Sequence, residues 1–295
     1  MNRVQRSPFV QGLLLLAPAV FIYGVFAFYP MLDVVKLSFM KWNGLTPTLQ
    51  FAGFDNFVQI FTTDTVFWTA LANTLVWTVL SLTLPTLCGF LLALALNQPM
   101  LGRVPLRAIF YLPVIVAPIA VATIWKWLYD PFFGLFNQLL AAAGFTPVDW
   151  LGDRKIALYS IFVASVWQTV GFSMVLFLAG LQNVSQTLVE AARIDGAGRW
   201  TIFRHVTLPA LRPSITVVLI LSLINSLKAF DIVYGTTGGG PAQSTQMLAM
   251  WSYTQAMQLG NFGNGSAISV VLLIVTVAVV VPYLRWSLRE EARMR

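Results

Sequence analysis

Lys228 and Asp231 sit three residues apart, just after Asn225, at the end of an uncharged run that begins at Ser214. Charged side chains are costly at such a place in an apolar segment, so they invite a chemical reading. At i, i+3 they share a helical face and can pair. Two readings stand side by side. The pair faces a polar path and gates it or touches a solute, or it is a structural pair with Lys228 extended toward water. Asn73, Trp167 and Gln168 lie in other apolar runs. Each offers an amide or aromatic face to a polar solute, or a bond between helices.

Bond-making chemistry is harder to assemble. No acid–histidine pair or Ser–His–Asp set comes together, and His205 is the single histidine, which excludes a His-rich metal site. A nucleotide loop would need a glycine-rich turn followed by Lys and Ser or Thr. None of the five lysines has that setting, and Gly238-Gly239-Gly240-Pro241 runs into Ala242, which reads as a turn. The chain is expected to be no enzyme and to hold no cofactor.

The elements that position these residues are membrane helices. Of 295 residues, 58% are hydrophobic and only 10% charged, against about 25% charged in ordinary domains. The apolar runs predict six spans at about 9–30, 71–97, 108–127, 156–181, 214–234 and 266–284. A segment 1–8 precedes them and a charged tail 285–295 follows. Pro113 and Pro118 lie inside the third span, tolerable where neighbours satisfy the freed backbone groups. From Ser214 only fourteen uncharged residues precede Lys228. These reach about 21 Å of a ~30 Å core, so the fifth helix is expected to include Lys228. Residues 33–64 read as an exposed loop with an interfacial helix anchored by Trp42 and Phe57. Cys88, the one cysteine, can form no disulfide within the chain.

Charge sets the orientation. The two ends, the 97–107 turn and the 183–213 loop hold twelve of the eighteen Lys and Arg but four of the eleven acids. The positive-inside rule puts that side, with both termini, in the cytoplasm. Topology thus explains the net charge of +7 without a nucleic-acid partner.

The 183–213 loop is the most patterned stretch. Glu190-Ala191-Ala192 opens a helix-forming run, Asp195-Gly196-Ala197 turns it, and Trp200, Phe203 and Val206 follow before Leu208-Pro209 and Pro213. A short helix, a glycine bend and a second short helix make a knob suited to docking. This stretch resembles the EAA loop of inner-membrane permease subunits of binding-protein-dependent ABC importers, with Val206 in place of that pattern's Ile. Leu71-Ala72-Asn73-Thr74-Leu75, Phe110-Tyr111-Leu112-Pro113, Trp125 through Asp130, and Phe230 through Tyr234 with the 237–241 turn resemble the sugar-type branch of these permeases.

The resemblance implies an all-α, type I ABC importer permease fold in the bacterial inner membrane. It implies a second, homologous permease subunit, two copies of an ATP-binding subunit that carries the ATP, and an extracytoplasmic solute-binding protein, all in contact with membrane lipid or with one another. Glu190, Ala191, Ala192, Asp195, Gly196 and Ala197 would couple to the ATPase. Asn73, Trp167, Gln168, Asn225, Lys228 and Asp231 are the candidates for the path of a carbohydrate-like solute. Glycerol phosphate is the alternative solute, and an ion-coupled secondary transporter the more distant alternative.

Overall fold

The computed structural model describes residues 8–294. Arg3, Arg6, most of the expected N-terminal segment and the last tail residue, Arg295, lie outside the described residues. Two compact units share the chain: one is residues 8–64 with Ser252–Val271, the other Thr65–Trp251 with the remainder from Leu272.

The first unit opens with α1 (Pro8–Tyr23), a π-helical turn (Gly24–Phe28) and α2 (Tyr29–Leu37), which together run well past the expected end of the first span. Almost every described side chain from Leu15 to Leu32 is exposed, although most are apolar. A helix apolar all round is stable when lipid or another protein covers it. Beyond it comes a small hairpin, β1 (Met40–Lys41) against β2 (Gln50–Phe51), and then the expected short helix, α3 (Asp55–Thr62), which carries Phe57, while Trp42 belongs to the hairpin. Polar tethers explain the hairpin. Asn43 Oδ1 accepts from Leu45 N and Thr46 N, an Asx turn, and Asn56 Nδ2 donates to Ser38 O and Met40 O.

The second unit is a helical bundle. Its helices are α4 (Thr65–Leu96), α5 (Arg103–Ile115), α6 (Pro118–Leu128), α7 (Leu135–Ala142), α8 (Ala157–Gln182), α9 (Gln186–Ile194), α10 (Arg199–Ile202), α11 (Leu208–Ala210), α12 (Arg212–Leu227) and α13 (Asp231–Thr236). Then come α14 (Leu248–Tyr253) and α15 (Phe262–Met294), which carries the chain on into the tail. Among the described residues, four helical segments are long and apolar enough to cross a membrane, or up to six if each of two bent pairs counts as one span. Pro85 lies inside α4 without ending it.

The bent pairs are where the chain departs from its expected spans. α5 and α6 meet at 102°. Pro118 starts α6 and has no N–H to continue a ladder, while Val116 and Ala117 are extended, as a residue before proline prefers. The fifth span differs too. α12 begins earlier than expected, at Arg212, and ends at Leu227 with Lys228 as its C-cap (φ −98°, ψ 10°). Phe230 departs from helical geometry (φ −137°, ψ −60°) before α13 starts at Asp231. The shared helical face expected for Lys228 and Asp231 is therefore absent: one ends a helix and the other begins the next.

Two clusters hold the bundle. One packs Trp77, Trp125, Ile161, Phe162 and Val233, and the other Ala93, Met174, Phe177, Leu181 and Leu211. Between helices, small residues permit close approach. Gly89 of α4 lies against Ser173 and the Met174 backbone, and Gly171 of α8 against the Phe110 carbonyl. A side chain at 171 would have to displace backbone rather than a flexible neighbour. Gly171→Leu is expected to lower stability by about 1–3 kcal/mol through overpacking, read as a lower midpoint of thermal unfolding in detergent. An unchanged midpoint would show that α5 and α8 do not pack this closely.

Candidate functional site

Two regions of the second unit bring the predicted residues together. The first is the knob. Ser185 caps α9 by accepting from Leu188 N, satisfying one of the orphan donors at a helix start. At the other end Ala197 N donates to Ala192 O (2.9 Å) and Gly196 N to Arg193 O (3.0 Å). This is the Schellman closure, and it needs a left-handed residue at Gly196, whose φ is +79°. Ala192 and Arg193 therefore supply the carbonyl side of the turn. Glu190, Ala191, Asp195 and Gly196 are exposed, and Ala192 and Ala197 half-buried. Large apolar side chains stand out beside them: Leu188, Ile194 (86% exposed) and Trp200 (70%). Exposed aliphatic and aromatic groups around a rigid turn suit insertion into a partner's cleft.

Aromatic rings join the knob to the bundle. Trp200 stacks on Phe203 at 5.4 Å, Phe203 approaches Phe90 of α4 at 6.2 Å, and Phe90 meets Phe177 of α8 edge-on at 5.3 Å. Pro209, expected to stop the second short helix, does not. A π-helical turn at Phe203–Thr207 carries the chain through it, and the direction changes by 60° at Leu211 instead.

The second region is a cavity of about 460 Å³ between α4, α8, α12 and the two helix breaks. Gln168, Asn225, Lys228 and Asp231 all line it. Gln168 Nε2 donates to Val116 O at 2.9 Å, so the amide satisfies a carbonyl freed by the α5–α6 break while its oxygen remains available. Lys228 and Asp231 make no ion pair with each other; both are open to the cavity.

Asn73 and Trp167 lie elsewhere. Asn73 Nδ2 donates to Ser244 O (2.8 Å) and Gln246 O (2.9 Å), pinning the loop after the glycine-rich turn. Trp167 packs edge-on against Trp125 at 6.0 Å and does not line the cavity. The aromatic groups that do are Trp77, Phe172 and Phe230, with a ring of hydroxyls that includes Ser81, Ser165, Ser222 and Thr169. Helical spacing was the available signal. Trp77 is one turn beyond Asn73 and Phe172 one turn beyond Gln168, but periodicity alone cannot say which turn faces a void. Chemically, the cavity offers hydroxyls, amides and aromatic faces with a single cation and a single acid. No group of three metal-ligating side chains occurs among the described residues.

Residues 85–289 match the family described as the inner membrane component of binding-protein-dependent transport systems. The chain belongs to that family. It is 36% identical to the probable ABC transporter permease protein PH1215 of Pyrococcus horikoshii, covering 99% of this chain and 100% of that one. It is also 36% identical to the trehalose/maltose transport system permease protein MalF of Thermococcus litoralis, over 93% and 92% of the two chains. Among solved structures, a bacterial alginate ABC transporter in complex with an alginate pentasaccharide-bound periplasmic protein contains a chain that superposes with a TM-score of 0.84. That chain is 25% identical, with 98% of each covered. The permease is thus a multi-pass membrane protein of known fold, and its matched region holds the knob and all of the cavity lining except Trp77 and Ser81.

Gly196→Val tests the knob. A β-branched residue forced into the left-handed region costs about 1–2 kcal/mol, so the closure onto Ala192 should open. Solute uptake by the assembled transporter is expected to fall at least tenfold while the variant still reaches the membrane. Wild-type uptake would show that the closed turn is dispensable.

Proposed function

We propose that this permease forms the path of an ATP-driven importer for an uncharged, carbohydrate-like solute, and that its knob couples the path to a partner ATPase. The observation that carries the reading is the cavity. Hydroxyl, amide and aromatic groups converge on one void, with one lysine offset by one aspartate, the mixture that recognises a neutral polyhydroxylated molecule. Phe172 and Phe230 offer ring surface to a sugar, and Asn225 and Gln168 Oε1 offer hydrogen bonds. The trehalose/maltose relative and the alginate transporter, solved with a pentasaccharide-bound periplasmic protein, support a saccharide. A glycerol phosphate would call for clustered cations, and Lys228 stands with Asp231 instead. An ion-coupled secondary transporter would use several acids within the membrane, and Asp231 is the only one lining the cavity.

On this reading the permease pairs with a second, homologous permease subunit, rests on two ATP-binding subunits and receives solute from an extracytoplasmic binding protein. ATP is held by the partners, and the chain itself catalyses no reaction. Closure of the ATPases pushes on Ile194, Trp200 and the α9 turn. The push reaches α4 and α8 through Phe203, Phe90 and Phe177. Solute affinity follows because the cavity's walls are differently spaced in the two states, which is the only way a ligand and a conformational change can be linked.

Two measurements check this. Reconstituted with its partner subunits and binding protein, the permease is expected to take up labelled maltose or trehalose and not glycerol 3-phosphate. Asn225→Ala should reduce that uptake roughly tenfold, the worth of one lost hydrogen bond of about 1–1.5 kcal/mol. Uptake of the phosphate ester alone, lost in Lys228→Gln, would overturn the neutral-solute reading. For topology, cysteines at the exposed positions Thr48 and Gln186, in a background lacking Cys88, should respond oppositely to an impermeant thiol reagent applied outside. Labelling is expected at Thr48→Cys only, and labelling at Gln186→Cys would invert the orientation.

A further inference from the structure

The first unit carries a concavity of its own, about 440 Å³, formed by the β1–β2 hairpin, α3 and the turn that enters α15. Its walls are amides and hydroxyls with one indole, an unusual lining in a chain that is 58% hydrophobic. Several polar groups here are already used by the fold. Asn56 holds the backbone of the hairpin, Asn43 holds its own turn, and Lys41 is paired with Asp55 at 2.9 Å.

Asn264 is not used in this way. It lines the groove, is only 8% exposed, and its side chain makes no hydrogen bond to any described residue. A carboxamide has two donors and an acceptor, and those of Asn264 are reached from the groove rather than sealed inside the protein. The small remaining exposure of Asn264 opens into the groove, where a ligand, or water in its place, completes those bonds. Gln50 on β2 and Gln59 on α3 also line the groove with side chains that bond to no described residue. Trp42 lines it as well. Its Nε1 is already donated to Thr46 O at 2.8 Å, and Phe262 packs on its ring at 5.0 Å. A fixed indole with its N–H used presents apolar ring surface and nothing else to a ligand.

We infer that this groove is a second saccharide-binding subsite, built around Asn264, Gln50, Gln59 and Trp42 and sharing no residue with the cavity of the helical bundle. Three features select a saccharide over a peptide segment. The hydrogen-bonding groups are uncharged amides, the one large apolar element is a flat indole, and the pockets for aliphatic anchors that peptides and proteins use are missing from the lining. The volume lies in the range that holds a small ligand. The choice of a saccharide rests on the proposed function; the position of the subsite rests on Asn264. On the proposed topology the groove faces outward.

The test is photo-crosslinking of the full-length permease, assembled with its partner subunits in lipid nanodiscs. Diazirine derivatives of maltose, trehalose and lactose serve as probes, and labelled peptides are mapped by mass spectrometry. Label is expected within residues 41–59 and 255–264 as well as at the bundle cavity. Asn264→Leu should cut the label at the first two segments at least tenfold and leave the cavity label unchanged. Should Asn264→Leu fail to assemble, Gln59→Ala at an exposed position of α3 gives the same comparison with a smaller expected loss. Label confined to the cavity would overturn the subsite and leave the proposed function standing. Label at neither place with any of the three probes would overturn both. Groove label that persists in both variants, or crosslinking of Gln59→Cys to the binding protein that added sugar does not displace, would also overturn the subsite.

Discussion

A backbone carbonyl without a partner is nearly prohibitive in hydrocarbon, and the carbonyl of Val116 is the place where this chain meets that constraint. The break before Pro118 frees it, and Gln168 reaches across from α8 to satisfy it at 2.9 Å. Once that bond is made, α5 and α6 can meet at 102° instead of running on as one rod. The bend leaves room beside α4 and α8 that a straight helix would fill, and the second break, at Lys228–Phe230, borders the same void. Irregular backbone inside a membrane protein is tolerated where it lines a cavity, and here both breaks do. The polar character of the cavity follows: exposed main chain and hydroxyl-bearing helix faces require an interior that admits water or a polar solute.

Rigidity elsewhere balances this local irregularity. α4 and α8 are long and uninterrupted, in close contact through Gly89 and Ser173, so displacement at one end is felt along their length. The knob meets the same two helices through Phe203, Phe90 and Phe177. Its own shape depends on a single backbone closure at Gly196 rather than on side-chain packing. On the proposed function, a compact lever attached by aromatic rings to stiff helices is a sound way to move force from a docking surface to a cavity wall.

The hairpin region solves a different problem. Near an interface, β1 and β2 must satisfy short stretches of main chain, and Asn43 and Asn56 do so from side chains. Amides selected for that structural task surround a space in which further amides remain unused, Asn264 among them. The same residue type thus serves main chain on one side of the groove and offers itself to a ligand on the other.

Sequence alone determined the membrane class, because 58% hydrophobic and 10% charged residues permit little else. It also determined the knob, since Asp195-Gly196 after Glu190-Ala191-Ala192 is a local signal that needs no distant partner, and Gly196 does adopt φ +79°. Tertiary structure decided the rest. Gln168, Asn225, Lys228 and Asp231 share one cavity, but Asn73 is committed to the carbonyls of Ser244 and Gln246, some 170 residues away in sequence. Trp167 turns to Trp125, and Trp77 takes a place on the cavity wall. In an apolar helix every face is hydrophobic, so periodicity carries no information about which face meets lipid, a neighbour or a void. Only the packing of helices distant in sequence supplies it. The helix breaks belong to the same category: Pro85 leaves α4 continuous while Pro118 starts a new helix. Pro85 borders the same cavity without a break, whereas the carbonyl freed before Pro118 is satisfied by Gln168 from a distant helix.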